Sequence, residues 1–288
     1  MNNIRLFQPS LGSKELNSVK KVFKRSWIGY GTEVQKFEAE WNKHFGVKHS
    51  IAVNSCTAAL HLALLCNNFK KGKKVLVPAI TFSATAAVVL YCGLIPVFVD
   101  INKNDLNMSL DDLKKKFTKD CVAIMPVHFG GHPCEMDKIM KFANQKKLIV
   151  IEDCAETCGG YYKGKKIGTW GHFGCFSFEE KKMMTTGDGG MIVTNNTQIA
   201  KKLKSLSFHG WDKDPLLRHK QRFLKNPKKF KNNLHWYYEI KHLGYKYNMN
   251  DLEASIGRVQ LKKLSFLNNS RIKFLKKYLA NLKKCKDL

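Results

Sequence analysis

The sequence predicts an α/β fold built on a largely parallel sheet. Three observations carry that expectation. Short apolar runs of strand length alternate with longer segments of helical periodicity through most of the chain. Polar, chemistry-bearing residues gather just after the apolar runs, where the strand ends of such sheets collect functional groups. The uncharged stretch at 75–99, "VLVPAITFSATAAVVLYCGLIPVFV", is punctuated by Pro78, Cys92-Gly93 and Pro96. It therefore reads as a buried strand, helix and strand rather than a membrane span.

The elements follow in order. "HSIAVNS" reads as a strand and leads into "TAALHLALLCNN", whose apolar positions suit a buried helix. "KKVLVPA", "TFSATAAVVLYCG" and "IPVFVDI" repeat the pattern. "SLDDLKKKF" opens with a Ser-x-x-Asp capping signature. "CVAIMPVHF", the helical "MDKIMKFANQKK" and "LIVIEDCAE" continue the series, and "CFSF" and "MIVTN" are the last strand-like runs. From Asp251 the character changes: "MNDLEASIGRVQLKKLSFLNNSRIKFLKKYLANLKK" has apolar residues at helical spacing, with lysines between, and predicts one long helix or two. Residues 1–250 are thus expected to form the main domain and 251–288 a helix leading out of it.

Composition narrows the class. The 288 residues are 44% hydrophobic and 25% charged, ordinary for a soluble globular protein. The start, "MNNIRLFQPSLG", has no apolar segment behind a basic end, so no secretory signal is expected. The nine cysteines are odd in number, scattered, and form no Cys-x-x-Cys pair. Reduced thiols, a cytoplasmic location and no metal site are expected. A net charge of +27 raises the question of nucleic acid, but only six of the 50 basic residues are arginine. Groove and phosphate recognition lean on arginine. The lysines are spread over most helical faces, so the charge reads as solvated surface and no nucleic-acid partner is expected. The densest segment, "RHKQRFLKNPKKFKNN" at 218–233, is suited to an anionic partner or substrate.

Four places put candidate groups at strand ends. In "VNSCTAAL", Asn54, Ser55, Cys56 and Thr57 stand between a strand and a helix; taken alone they suit a helix cap first and a phosphate cradle second. In "LIVIEDCAET", Glu152-Asp153 closes an apolar strand with Glu156 just beyond. Such an acid caps a helix, binds a metal, or pairs with a cationic ring nitrogen. In "ITFSAT", Phe82 either packs in the core or faces a flat ligand. In "CFSFEEKKMMTTGDGG", Ser177 ends a strand and two lysines enter a glycine-rich turn. Together these are the requirements for pyridoxal phosphate: a phosphate cradle, a stacking aromatic, a carboxylate for the pyridine nitrogen, and a lysine for the aldehyde.

Across essentially its whole length the chain resembles the DegT/DnrJ/StrS family of pyridoxal-phosphate-dependent nucleotide-sugar aminotransferases. The resemblance rests on "GYGTEVQKFEAEWNKHFGVKHSIAVNSCTAALHLAL", "PVHFGGHPCEMD", "VIEDCAE", "CFSFEEKKMMTTGDGGMIVTN" and "LGYKYNMNDLEASIG", in that order. It implies an aspartate-aminotransferase-like large domain and the start of a small C-terminal domain. Counting from Phe176-Ser177-Phe178, the family pattern makes Lys182, not Lys181, the Schiff-base lysine. It makes Asp153 the partner of the pyridine nitrogen, Phe82 the ring-stacking residue, and Ser177 with the Ser55-Cys56-Thr57 turn the phosphate ligands. It also implies a homodimer with active sites at the interface, where Lys246 of "GYKYN" reaches the cofactor phosphate of the other subunit.

The chain departs from the family in three ways. Glu156 stands near the phenolic oxygen of the cofactor, where His or Gln is usual; a second carboxylate there is repelled unless protonated or paired. Cys56 replaces a small Gly or Ala. Family members continue beyond this end through the small domain. The implied activity moves an amino group, most simply from L-glutamate, to a nucleotide-linked keto-deoxysugar, in surface polysaccharide or related amino-sugar biosynthesis. The alternatives are a sugar dehydratase on the same fold, in which histidine replaces the lysine, and a non-catalytic regulator.

Overall fold

The computed structural model describes residues 7–212 and 238–283; the basic segment 218–233 lies outside them. Two helices, α1 (Ser13–Lys24) and α2 (Thr32–Phe45), precede the first strand. The alternating body follows: β1 (His49–Val53), α3 (Cys56–Leu65), β2 (Lys74–Pro78), α4 (Ser83–Tyr91), β3 (Ile95–Val99), α5 (Leu110–Lys116), β4 (Cys121–Ile124), α6 (Met136–Lys146) and β5 (Ile149–Cys154). A small hairpin, β6 (Tyr161–Tyr162) and β7 (Lys165–Lys166), leads to β8 (Phe173–Ser177), β9 (Gly190–Thr194) and α7 (Thr197–Ser207). The last described helix, α8, runs unbroken over Asp251–Leu282.

Seven strands form one sheet in the order β1-β9-β8-β5-β4-β2-β3. β9 runs antiparallel to both neighbours and the other pairs are parallel. The reason lies between β8 and β9. A parallel return needs a crossover, usually helical, whereas residues 178–189 hold no helix. The chain therefore turns back at the edge where β8 ends, and this turn carries the two lysines.

Helices cover both faces of the sheet. On one side α3, α4 and α7 pack on Ile51, Val75, Ile151, Cys175 and Ile192. On the other, α2 and α8 enclose an aromatic group in which Trp41 stacks on Phe45 (4.4 Å between centroids) and meets Phe176 and Phe178. A third group lies beneath α5 and α6. Each fully buried large side chain stabilises the fold by about 1.5–3 kcal/mol. The double burial explains why the interior strands read as continuous apolar runs. Among the described residues no helix is long and apolar enough to cross a membrane, and the uncharged stretch resolves into β2, α4 and β3.

Caps fix the helix starts. Ser109 Oγ accepts the Asp112 N–H (3.4 Å), as its capping signature predicts. Asn250 and Glu253 form a reciprocal capping box at α8. Asp251 Oδ1 accepts the Glu33 and Val34 N–H groups, each at 3.1 Å, so α8 also caps α2. The first half of α8 is buried against α1 and α2 through Ala254, Ser255, Gly257, Leu261 and Leu264; further on, Phe266, Phe274 and Tyr278 are exposed.

Candidate active site

Four strands deliver side chains to one edge of the sheet. β1 ends in the turn that starts α3, β2 leads into α4, β5 ends at Asp153–Cys154, and β8 ends at Ser177 before the lysine turn. Between them lies a cavity of about 420 Å³. Ser55, Cys56, Thr57, Phe82, Asp153, Glu156, Ser177 and Lys182 all line it, together with Lys181, Thr81 and Asp188. Eight of the nine residues singled out in the sequence thus meet in one space.

Asp153 is 4% exposed. Its Oδ2 accepts from Thr85 Oγ1 (2.8 Å) and its Oδ1 from the Ala155 N–H (3.0 Å). Burial pushes its pKa up; the two hydrogen bonds and His128 oppose the rise, and the Glu156 charge adds to it. A buried carboxylate of this kind is stabilised when a cationic N–H is brought against it. Among the described residues Asp153 caps no helix, so the capping reading does not hold.

The neighbouring acid is committed elsewhere. Glu152 is fully buried, and its oxygens accept from Gly168 (2.9 Å), Trp170 (2.7 Å) and Gly171 (2.7 Å) N–H groups and from His128 Nε2 (3.2 Å). His128 Nδ1 accepts the Cys134 N–H (3.1 Å), which leaves Nε2 as the nitrogen bearing the proton given to Glu152. Glu152 thus ties β5 to the loop after β4 and to the segment before β8.

The capping reading of the Ser55 turn holds. Ser55 is the N-cap of α3, its Oγ accepting the Ala58 N–H (3.0 Å), and its hydroxyl proton remains available to an anion. The helix start brings a positive partial charge to the cavity. β9 closes in from behind. A Cβ at Gly190 would lie 2.6 Å from Ser55 O and 2.8 Å from Cys56 N, and Gly187 has φ +94°. The glycines of "TTGDGG" let the lysine turn fold tightly against this cradle. Cys56 is buried; burial pushes its thiol up, Asp153 and Cys175 add to the rise, and Lys182 opposes it.

Lys182 is half-buried, its N–H bonded to Glu179 O (3.0 Å), and among the described residues its amine has no ion-pair partner. Lys181 is exposed, with Nζ 3.8 Å from Glu179 Oε1. Glu156 Oε2 accepts the Gly130 N–H (2.6 Å), which anchors the unusual second carboxylate at the wall. Phe82 is 78% exposed, so it is not a core residue; its ring stands at the cavity mouth.

Lys246 lies apart from its own chain's cavity. Its Nζ sits 3.9 Å from the centre of the Phe208 ring, and burial lowers its pKa. The segment is tied to the end of β1 by the Asn54 N–H, which donates to Tyr247 O (2.7 Å). Sequence reasoning missed Thr81, Thr85, His128 and Gly130. The one available signal was the spacing of Thr81 and Thr85, four apart across a helix start.

The donor set fits pyridoxal phosphate: a helix start for the phosphate, an aromatic face, a buried acid for the ring nitrogen, and an amine on the same wall. A fold type I pyridoxal-phosphate enzyme is the class that this sheet and cavity define. The chain belongs to the DegT/DnrJ/EryC1/StrS aminotransferase family, whose model matches residues 9–288, and aminotransferases of this family depend on pyridoxal phosphate. Spore coat polysaccharide biosynthesis protein SpsC of Bacillus subtilis is 38% identical over 94% of this chain and 67% of its own length. GDP-perosamine synthase of Escherichia coli O157:H7 is 38% identical over 94% of this chain and 69% of its own. Among solved structures, the aminotransferase TlmJ of Streptoalloteichus hindustanus superposes with a TM-score of 0.88, at 29% identity over 98% of this chain and 72% of its own. The E. coli GDP-4-keto-6-deoxy-D-mannose-3-dehydratase with bound hydrated PLP also gives 0.88, at 29% identity over 99% and 74%.

Proposed function

We propose that this protein transfers an amino group from an amino acid, L-glutamate in the simplest case, to the keto group of a nucleotide-linked deoxysugar. The observation that carries the reading is the meeting of Asp153 and Lys182 in one cavity from adjacent parallel strands. SpsC and GDP-perosamine synthase support a role in surface polysaccharide or related amino-sugar biosynthesis.

Pyridoxal phosphate, when bound, supplies an electron sink conjugated to the carbon that exchanges its amine. The chain's residues do the rest. Asp153 keeps the ring nitrogen protonated. Ser55, Cys56 and Thr57 at the start of α3, with Ser177 at the end of β8, would hold the phosphate, and Phe82 would cover a ring face. Glu156, on the cavity wall, would face the phenolic oxygen. Lys182 would be the residue that holds the group through its amine, and that amine, when free, would move the proton at the donor's α-carbon as general base. In the second half it returns a proton to the sugar carbon that receives nitrogen. Lys246 acts on the partner subunit's phosphate in a cytoplasmic homodimer. Residues 1–250 would form the cofactor-binding domain, with the helix Asp251–Leu282 leading out of it.

The structural likeness to a dehydratase favours a second reading, removal of a sugar hydroxyl on the same fold. Lys182 argues against it, because the related dehydratases carry histidine there. Borohydride reduction with pyridoxal phosphate followed by peptide mapping is expected to mark Lys182. Trapping at the active site of a Lys182→Ala protein would overturn the assignment. Incubation with glutamate and a keto sugar nucleotide is expected to yield an amino sugar; a deoxygenated product would establish the dehydratase.

A further inference from the structure

The reading of Asp153 as partner of the ring nitrogen leaves open what keeps this nearly buried carboxylate ionised and fixed. We infer that Thr85 is a positioning residue for Asp153, and that Thr81 completes a two-hydroxyl relay feeding it. An ionised carboxylate only accepts, so the 2.8 Å contact runs from the Thr85 O–H to Asp153 Oδ2. That uses the single Thr85 proton. The 2.7 Å contact between Thr81 Oγ1 and Thr85 Oγ1 must then run from Thr81 to Thr85. Each donation polarises the next, so the pair acts as one stronger donor.

Placement makes the relay rigid. Thr85 is fully buried in the first turn of α4, and its branched Cβ restricts χ1. Thr81 lies on the cavity wall just before the α4 N-cap, where its donation is unhindered. The Ala155 N–H holds Oδ1 at the same time, so the carboxylate is gripped at both oxygens from two elements.

The other groups around Asp153 do not replace this grip. From β5 and the segment after it come Cys154 and Glu156; from β8, Cys175; from the start of α3, Cys56; from the loop after β4, His128; and from the turn after β8, Lys182. The three thiols are held up by burial and stay neutral at physiological pH. Glu156 opposes ionisation, and the His128 ring proton is directed to Glu152. Lys182 stands on the cavity wall, and no hydrogen bond joins it to Asp153 among the described residues.

Removing the Thr85 hydroxyl shifts the proton balance between ring nitrogen and carboxylate toward the carboxylate. The test uses the cofactor-free protein labelled with ¹³C at aspartate carboxyls, titrated by NMR, with Asp153→Asn to assign the resonance. Thr85→Val, nearly isosteric, is expected to move the Asp153 midpoint upward, and Thr85→Ser to return most of the shift. Thr81→Val is expected to move it the same way by less. Pyridoxal phosphate affinity, measured by equilibrium dialysis, is expected to fall roughly tenfold in Thr85→Val. A folded Thr85→Val protein whose Asp153 titrates as in the wild type overturns the relay. Should Thr85→Val fail to fold, Thr81→Val decides, and an unchanged midpoint there overturns it equally. If the wild type binds no pyridoxal phosphate, the proposed function falls while the titration still reports on the relay.

Discussion

Asp153 stands opposite Cys175 in the parallel β5–β8 ladder, and β8 ends two residues later at Ser177. That register sends the acid and the lysine turn out at the same edge of the sheet. A slip of one residue would turn Asp153 to the opposite face and part it from the Lys182 wall. The site is therefore a property of strand pairing before it is a property of any single side chain.

The two adjacent lysines are expected to behave oppositely. Lys181 is exposed and pairs weakly with Glu179, an interaction worth about 0–1 kcal/mol at a surface. Lys181→Ala should leave the glutamate half-reaction, followed by cofactor absorbance, within about fivefold of wild type. Lys182→Ala should abolish it. Reversed phenotypes would move the reactive amine one residue back.

Glu156→Gln isolates the effect of the second acid. Glutamine still offers an oxygen to the Gly130 N–H, but the charge that adds to the rise of Asp153 is gone. Asp153 should then titrate lower, and the acid limb of cofactor retention should move to lower pH. The stability sign follows. A carboxylate raised in the folded state costs stability as pH climbs through its unfolded value toward its folded one. The variant should be more stable than wild type above that range and equal to it in strong acid. Urea melts across pH provide the check.

Glu33 gives the opposite case. Burial pushes its carboxyl up, but hydrogen bonds from Arg25 (2.7 Å) and Arg258 outweigh this and hold it at about 2. A depressed carboxylate stabilises the fold above its unfolded pKa, 4.5, and loses that contribution as pH falls toward 2. Glu33→Gln should cost roughly 1–3 kcal/mol at pH 7, less than a fully buried pair because Arg25 is partly exposed. The difference from wild type should shrink between pH 4.5 and 2 in denaturant titrations. A deficit that persists at the acid end would mean packing, not charge, is what Glu33 supplies.

Much of this was legible because the signals were local. The strand and helix alternation, the Ser109 cap, the long helix from Asp251 and the residues lining the cavity all show in short windows of sequence. What was not legible depends on partners far along the chain. Thr85 looks like any small helix residue until Asp153 is placed beside it, and Glu152 looks as available as its neighbour until three backbone N–H groups surround it. Phe82, taken alone, reads as core because aromatic residues usually are; its exposure follows from its position as the N-cap of α4 at the cavity mouth. The reversed direction of β9 needed the absence of a helix between β8 and β9.

Gly190→Ala tests the cradle without touching a polar side chain. The new methyl would meet Ser55 O at 2.6 Å, and backbone on both sides has little room to yield. β9 must shift away from the start of α3, so phosphate contacts loosen. Cofactor affinity should drop by tenfold or more, while overpacking lowers stability by about 1–3 kcal/mol. Retained affinity in a stable variant would show that the α3 start is not where the phosphate is held.

The proposed shared-site homodimer makes a prediction that no single-chain reading makes. Lys182 serves its own subunit's cavity, whereas Lys246 lies outside it, against Phe208, and is assigned to the partner's phosphate. In a Lys182→Ala homodimer both sites lack the reactive amine; in a Lys246→Ala homodimer both lack the phosphate contact. Mixing the two places both defects in one site of the heterodimer and leaves the other site intact. With random exchange half the dimers are mixed, so activity should recover to about a quarter of wild type at equal protein. Two inactive proteins yielding an active mixture would have no other simple source. If the mixture stays as inactive as its parents while subunits demonstrably exchange, Lys246 serves its own chain or none.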